Sequence, residues 1–168
     1  DIPAGTGLGS SSSLATATLL ALAKFRHKTL VPHDLAEMAS LIEIYELKAP
    51  IGRQDQYASA FGGIQFMEFR PNGYVQHLPI NLSQDTIVDL EENLMLFFTG
   101  YTRDTNDVVG ATMDKEFLDK SKRITSQMIE VLMRGEVCRW ADLMTHYWRE
   151  KQKVASNPRI NECFNRAL

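Results

Sequence analysis

The chain has 168 residues, of which 44% are hydrophobic and 23% charged, so it is long enough and apolar enough to bury a core. Its formal net charge of −3 gives no reason to expect broad binding to nucleic acid or to an anionic membrane, and no apolar run reaches membrane-spanning length. Cys138 and Cys163 are isolated and lack metal-ligand spacing, which indicates a reducing cytoplasm.

The first predicted element is a glycine-rich loop that runs directly into a helix rich in alanine and leucine over 14–23. The loop reads Ile2-Pro3-Ala4-Gly5-Thr6-Gly7-Leu8-Gly9-Ser10-Ser11-Ser12-Ser13. Alternating glycines let a ligand come close to the main chain, and a helix N-terminus offers unpaired N–H groups with a positive dipole end. The loop therefore predicts an anion site, and phosphate is its usual occupant.

Neither of the two common phosphate-binding motifs explains this loop. A Walker A loop needs a Lys-Ser/Thr pair after its last glycine, but the first lysine, Lys24, lies well inside the helix. A dinucleotide-binding fingerprint that started at Gly5 would end on Ser10, and it lacks the acid expected about twenty residues further on. A serine-rich linker or a plain N-cap is the simpler alternative, but a linker would not run straight into an apolar helix.

The pattern Pro-x-x-x-Gly-Leu-Gly-Ser-Ser over 3–11 resembles the second motif of the GHMP kinases, the family of galactokinase, homoserine kinase and mevalonate kinase. The resemblance implies that the loop wraps the phosphates of ATP with its backbone N–H groups. The residues that it assigns to this role are Gly5, Thr6, Gly7, Leu8, Gly9, Ser10 and Ser11. By position in the motif, Ser11 matches the serine that ligates Mg²⁺ in the family.

A second helix is predicted to start at His33-Asp34 and to carry two stripes. The expected core face consists of Leu35, Met38, Ile42 and Tyr45. The other stripe, Ala36, Ser40 and Glu43, has small residues that would let another element approach closely and place the Glu43 carboxylate at a packed junction. The alternative is that Glu43 is an ordinary solvated helix acid.

The segment over 49–63 breaks this helix with Pro50 and Gly52 and then continues as Arg53-Gln54-Asp55-Gln56. It resembles the GHMP segment in which a Pro-x-Gly-x-x-Asp-Gln/Asn pattern presents the catalytic aspartate, here Asp55. Several family members have a metal-binding glutamate twelve residues before that aspartate, which is the spacing of Glu43 and Asp55. The resemblance thus implies Asp55 as the base for the acceptor hydroxyl and Glu43, with Ser11, as the Mg²⁺ ligands.

The rest of the chain predicts strands and then helices. Alternation over 64–78 around Pro71-Asn72-Gly73 predicts a hairpin, and the apolar run over 93–98 predicts a buried strand. That run leads into Thr99-Gly100-Tyr101-Thr102-Arg103, which is similar to a Thr-Gly-x-Thr-Arg segment of the sugar kinases in the family, although a solvated turn is an equally open interpretation. Three helices follow, over 117–134, from Val137 and from Asn157-Pro158.

This order of elements predicts the α+β class. The resemblance implies the GHMP kinase fold, with an N-terminal part like ribosomal protein S5 and a ferredoxin-like C-terminal part. GHMP kinases extend beyond both ends of this chain, so we expect it to be the central part of a longer enzyme. The polar stretch Ser83-Gln84-Asp85 is the best linker candidate, and we place the two parts at 1–90 and 91–168.

The segment Gly-Arg-Gln-Asp-Gln-Tyr indicates the acceptor. It is most similar to the corresponding segment of the heptose 7-phosphate kinases and fucokinase-like members of the family. Those members phosphorylate an anomeric hydroxyl, and a 7-phosphate acceptor brings a dianion that Arg53 and Arg103 are candidates to hold. A kinase for another sugar such as fucose or galactose, or a non-catalytic sensor that binds ATP and sugar, are the alternatives. The sequence leaves a homodimer open.

Overall fold

The computed structural model of the chain describes residues 7–98, 115–154 and 158–167. These residues form two compact units, the first ending at Pro79 and the second beginning at Ile80. The predicted division at residue 90 would cut a helix of the second unit, whose Leu90 is buried in that unit's core. As a division into domains, 1–90 and 91–168 stays a prediction.

The first unit consists of three α-helices and a hairpin. Its elements are α1 (Ser10–Phe25), α2 (Pro32–Ser40), a π-helical segment (Leu41–Glu46), α3 (Gln54–Phe61), β1 (Gln65–Phe69) and β2 (Val75–Pro79). The strands pair antiparallel, with Gln65 opposite Pro79 and Phe69 opposite Val75. Gly73 has a φ of 82° in the turn between them, a backbone angle that favours glycine. The predicted hairpin is confirmed.

Small residues on α2 form the centre of this unit. Ala36 and Ala39 are completely buried, and Ala36 packs with Tyr57 of α3 and Val75 of β2. Helices whose facing residues are alanine and serine can approach each other more closely than helices whose facing residues are leucine. α2 contacts both α1 and α3, and three of its four buried residues, Ala36, Ala39 and Ser40, are small.

This arrangement corrects the core face that the sequence predicted for the second helix. Leu35 is buried, but Met38 is 42% exposed and Tyr45 is 71% exposed. The large side chains point away because the close contact with α1 and α3 has room only for short ones.

The π-helical segment follows α2 without a break, and the continuous helix ends with it. Its wider turn is visible in the bond from Leu47 N–H to the carbonyl of Ile42, five residues earlier, at 2.9 Å. Short π-helical stretches inside helices occur frequently at functional sites. This one contains Glu43.

The second unit is helical in its described residues; the sequence predicted its last three helices, but not the first, which begins where a linker was expected at Ser83-Gln84-Asp85. It contains α4 (Gln84–Asn93), α5 (Lys115–Met133), α6 (Val137–Val154) and α7 (Pro158–Ala167). Leu90, Leu132 and Val137 form its core, against which Trp140 packs. None of the helices in the three described ranges combines the length and apolarity that crossing a bilayer requires.

The strand predicted over 93–98 is wrong in this structure. Asn93 ends α4, and the following residues 94–98 have no regular secondary structure and are exposed by 55–81%. A strand needs a neighbour to pair its backbone groups. Within the described ranges the sheet has two strands only, β1 and β2, which pair with each other. The α+β class is therefore represented here by many helices and one small sheet.

The packing of α2 leads to a stability prediction. Ala36→Leu should lower the free energy of unfolding by about 1–3 kcal/mol, because the added methylene and methyl groups have no space between the helices. Ala21→Leu on the exposed side of α1 is the matched control and should change it by less than about 0.5 kcal/mol. Urea unfolding of both variants measures the difference. Equal midpoints would contradict the close helix contact.

Candidate active site

The start of α1 is an open helix N-terminus. Gly9 is its N-cap residue and has a left-handed backbone with φ 67°, and Gly7 has φ 76°. The first turn contains no acid, and no side chain caps it among the residues that the structure describes. Unpaired N–H groups at such an end favour an anion. Of the predicted loop, Gly5 and Thr6 lie outside the described residues.

Asp55 lies directly against this loop. A Cβ atom built on Gly9 would lie 3.5 Å from Cβ, 3.6 Å from Cγ and 3.9 Å from Oδ2 of Asp55. Asp55 is exposed and sits in the first turn of α3. The fold thus brings a carboxylate beside the helix N-terminus, although the two are 46 residues apart in the sequence. Position 9 favours glycine for two reasons, namely its positive φ and the close contact with Asp55.

A second carboxylate, Glu43, is buried behind the loop. Its relative exposure is 6%, so the predicted packed junction is confirmed and the solvated-acid alternative is excluded. Ser12 Oγ donates to Glu43 Oε2 at 2.9 Å, and Gln56 Nε2 donates to the same oxygen at 2.6 Å. Two bonds to one oxygen fix the orientation of the carboxylate.

The serine that contacts Glu43 is not the one that the motif indicates. Ser11 is exposed, whereas Ser12, one residue later, is 1% exposed and bonded to Glu43. One step along a helix turns a side chain by about 100°, so the two neighbours face different surroundings. Ser12 shares its buried side of α1 with Thr16 and Ala23.

Gln56 is a further residue that the sequence argument did not assign. Its side chain is completely buried, and besides its bond to Glu43 it has an amide oxygen, Oε1, without a hydrogen-bond partner among the described residues. Buried polar groups are normally paired, so this oxygen is a candidate ligand or water contact.

Arg53 is hydrogen-bonded to other residues of the protein. Its Nη2 donates to Oε1 of Glu37, and its Nη1 donates to the carbonyl of Gly73 at 2.7 Å. The hydroxyl of Tyr57 donates to the same Glu37 oxygen. Burial, followed by the proximity of Glu37, raises the pKa of Tyr57 well above its usual range, so the phenol remains a donor. Arg103, the other predicted substrate residue, lies outside the described residues.

The donor set around Glu43 fits a magnesium ion. It offers a carboxylate and a serine hydroxyl within 2.9 Å of each other, both of them hard oxygen donors. No group of three or more histidine, cysteine, aspartate or glutamate residues in the described ranges could hold a metal by itself. This agrees with the way in which Mg²⁺ is usually bound, through one or two carboxylates together with substrate phosphates and water.

Comparison with known proteins finds kinases among the relatives of this chain. Residues 1–63 match the model of the GHMP kinases N terminal domain. The chain is 31% identical to D-glycero-alpha-D-manno-heptose 7-phosphate kinase of Campylobacter jejuni, over 100% of the chain and 52% of that protein. It is 28% identical to the bifunctional fucokinase/GDP-fucose pyrophosphorylase of Arabidopsis thaliana, over 98% of the chain and 17% of that protein.

A solved structure also resembles the chain. It is that of a D-glycero-D-manno-heptose 1-phosphate kinase from Bacteroides thetaiotaomicron, with a TM-score of 0.78 and 31% identity, over 91% of the chain and 46% of that protein. Residues 1–63 are therefore identified as a GHMP kinases N terminal domain, and the chain shares the fold of this kinase. It spans about half the length of the Campylobacter relative, at 52%.

The two neighbouring serines give a matched stability test. Ser12→Ala removes a buried bond to a charged group and should lower the free energy of unfolding by about 1–3 kcal/mol. Ser11→Ala removes an exposed hydroxyl and should change it by less than about 0.5 kcal/mol. Chemical denaturation of both variants without nucleotide measures the difference. A larger loss for Ser11→Ala would contradict the register of α1.

Proposed function

We propose that the protein is an ATP-dependent sugar kinase of the GHMP type, which transfers the γ-phosphate of ATP to a hydroxyl of a sugar. The observation that carries this proposal is the contact between Gly9 and Asp55, where a Cβ on Gly9 would lie 3.5 Å from the Asp55 side chain. An anion site and a carboxylate at this separation can hold a phosphate and an acceptor hydroxyl side by side. The kinase names of its relatives support the same reaction class.

The protein residues have separate roles in this reaction. The backbone N–H groups from Gly5 to Ser11 bind the ATP phosphates, with Ser10 and Ser11 adding hydroxyl contacts. Asp55 accepts a hydrogen bond from the acceptor hydroxyl, orients it in line with the γ-phosphate and takes its proton. Phosphoryl transfer has a loose transition state in most analyses, so positioning and charge neutralisation contribute more than the strength of the base.

Mg²⁺ would supply charge neutralisation on the phosphates. Glu43 is the proposed carboxylate ligand. Two serines are available as its companion, Ser11 by its place in the motif and Ser12 by its bond to Glu43 of 2.9 Å. The bond from Ser12 to the Glu43 carboxylate supports Ser12, and the motif supports Ser11.

The proposed acceptor is a heptose 7-phosphate or a related sugar, phosphorylated at its anomeric hydroxyl. The names of the Campylobacter and Bacteroides relatives, both heptose phosphate kinases, support this class, and the Arabidopsis relative keeps fucose as an alternative. Arg103 remains a proposed contact for the acceptor's own phosphate.

The experiment that tests the proposal is an assay of ADP formation by the full-length protein with ATP, Mg²⁺ and a panel of sugars and sugar phosphates. Turnover with a heptose 7-phosphate, at a higher kcat/KM than with fucose or galactose, is the expected result. Thermal stabilisation by ATP and a sugar without ADP release would overturn the proposal in favour of a sensor.

Asp55→Asn should reduce turnover by about 10²–10⁴-fold, the usual contribution of general acid–base catalysis, because the amide cannot take the proton. Nucleotide affinity should stay within several-fold, since Asp55 acts on the acceptor. Asp85→Asn, an exposed aspartate in the first turn of α4, is the matched control. Single-turnover kinetics and calorimetric ATP binding measure both effects. If Asp55→Asn keeps more than about a tenth of wild-type turnover, Asp55 is not the base.

Glu43→Gln should raise the Mg²⁺ concentration needed for half-maximal activity and for tight ATP binding, because the cation loses an anionic oxygen. Glu46→Gln is the control, since Glu46 belongs to the same π-helical segment but is exposed. Magnesium titrations of activity and of ATP binding by calorimetry are compared for the two variants. Identical curves for Glu43→Gln and wild type would remove Glu43 from the metal site.

A further inference from the structure

Two side chains at the start of α3 donate to one carboxylate oxygen of α2, next to the candidate active site. Glu37 of α2 accepts from Arg53 at the start of α3 and from Tyr57 one turn further along α3. The guanidinium of Arg53 also lies 5.6 Å from the centre of the Tyr57 ring, within the range of a cation–π contact. We call Glu37, Arg53 and Tyr57 the α2–α3 brace.

The brace also reaches the hairpin. Arg53 Nη1 donates to the backbone carbonyl of Gly73 in the turn between β1 and β2 at 2.7 Å. One guanidinium therefore ties three separate parts of the first unit, namely α2, the beginning of α3 and the hairpin turn. Arginine suits this task because its planar fork presents several N–H donors in fixed directions.

Gln56 and Tyr57 are buried near the start of α3, but the N-terminus of this helix lacks a side-chain cap within the described ranges. Arg53 is the N-cap residue, and no side chain caps the helix among the described residues. The preceding Gly52 has nothing within 4 Å of a Cβ built on it, so the approach to the helix is open. A first turn without a capping side chain frays more readily. Asp55 lies in this turn, two residues after Arg53.

We propose that Arg53 and Glu37 are a positioning pair that holds the first turn of α3, and with it Asp55, against the glycine loop. Arg53 then acts through Asp55 and does not bind the phosphate of the acceptor. This inference rests on the proposed kinase function, in which Asp55 orients the acceptor hydroxyl. A displacement of about 1 Å at such a group can cost on the order of 10²-fold in rate.

The two roles of Arg53 predict different kinetics. For a positioning residue, Arg53→Met should lower kcat by about ten-fold or more, with KM for every acceptor within about twofold of wild type. Glu37→Ala should lower kcat in the same way, and the double variant should be no worse than the more damaged single variant. Glu37→Gln keeps an oxygen acceptor and should lose less than Glu37→Ala.

A phosphate-binding role would look different. Arg53→Met would raise KM for a phosphorylated acceptor while leaving unphosphorylated acceptors unaffected, and Glu37→Ala would not reproduce the change. That pattern overturns the proposal. Arg70→Met is the matched control, because Arg70 flanks the same hairpin turn but is bonded to Glu68 and Gln76 of the hairpin itself. Its kcat and KM should stay within about twofold of wild type.

Amide hydrogen exchange tests the brace independently of catalysis. Backbone amides over 54–57 should exchange faster in Arg53→Met and in Glu37→Ala, with no further increase in the double variant, and amides of the second unit should be unchanged. If the wild-type protein forms no ADP with any acceptor, the proposed function fails while this measurement still decides the brace. Unchanged exchange over 54–57 in both variants would overturn the inference.

Should Arg53→Met not yield folded protein, Arg53→Lys, which cannot reach Glu37 and Gly73 together, replaces it in both measurements.

Discussion

The close packing of α1, α2 and α3 is the constraint on which the rest of the site depends. It requires short side chains on α2, and Ala36 and Ala39 meet this requirement with no exposed surface. Because the helices approach closely, Ser12 of α1 and Gln56 of α3 can both reach the carboxylate of Glu43. Larger residues on this stripe would separate the helices, and the contacts to Glu43 would be lost together with the contact of Asp55 with Gly9.

Burying a carboxylate costs folding free energy unless hydrogen-bond donors contact it. The helices around Glu43 must therefore bring such donors to it as well as pack closely. Ser12 and Gln56 supply two donors to one oxygen, at 2.9 and 2.6 Å. They leave the carboxylate without a positive partner among the bonds that the described residues make to it, and a carboxylate in that state is suited to a cation brought in with a phosphate ligand. The same feature that costs folding energy thus supports the proposed metal role of Glu43.

The sequence predicted the parts of the site that depend on local pattern. A glycine loop before an apolar helix indicates an anion site wherever it occurs, and Asp55 follows a recognisable break in the chain. Burial of Glu43 was one of two interpretations that the stripe of Ala36, Ser40 and Glu43 left open, and the structure decides for it. The choice between Ser11 and Ser12 was not predictable, because four consecutive serines carry no information about which side of α1 is covered.

The predictions that the structure corrected failed for a different physical reason. Periodicity alone favoured large residues as the core face of the second helix; Leu35 is buried as predicted, but small residues occupy the rest of the buried side of α2, and Met38 and Tyr45 are 42% and 71% exposed. The apolar run over 94–98 has the composition of a buried strand, yet a strand forms only where another strand offers its backbone. Both outcomes depend on neighbours that are distant in the sequence, which a local pattern cannot identify.

Four of the five residues over 53–57, at the beginning of α3, have different roles. Successive residues on a helix point about 100° apart, so a short run can contact several neighbours at once. Arg53 extends to Glu37 and Gly73, Asp55 lies against the loop, Gln56 is bonded to Glu43, and Tyr57 fills the core. In the sequence this run looks like one polar patch before an apolar turn. In the fold it is the point where the brace, the proposed base and the proposed metal site share one helical turn, so that a shift in any one of them would displace the others.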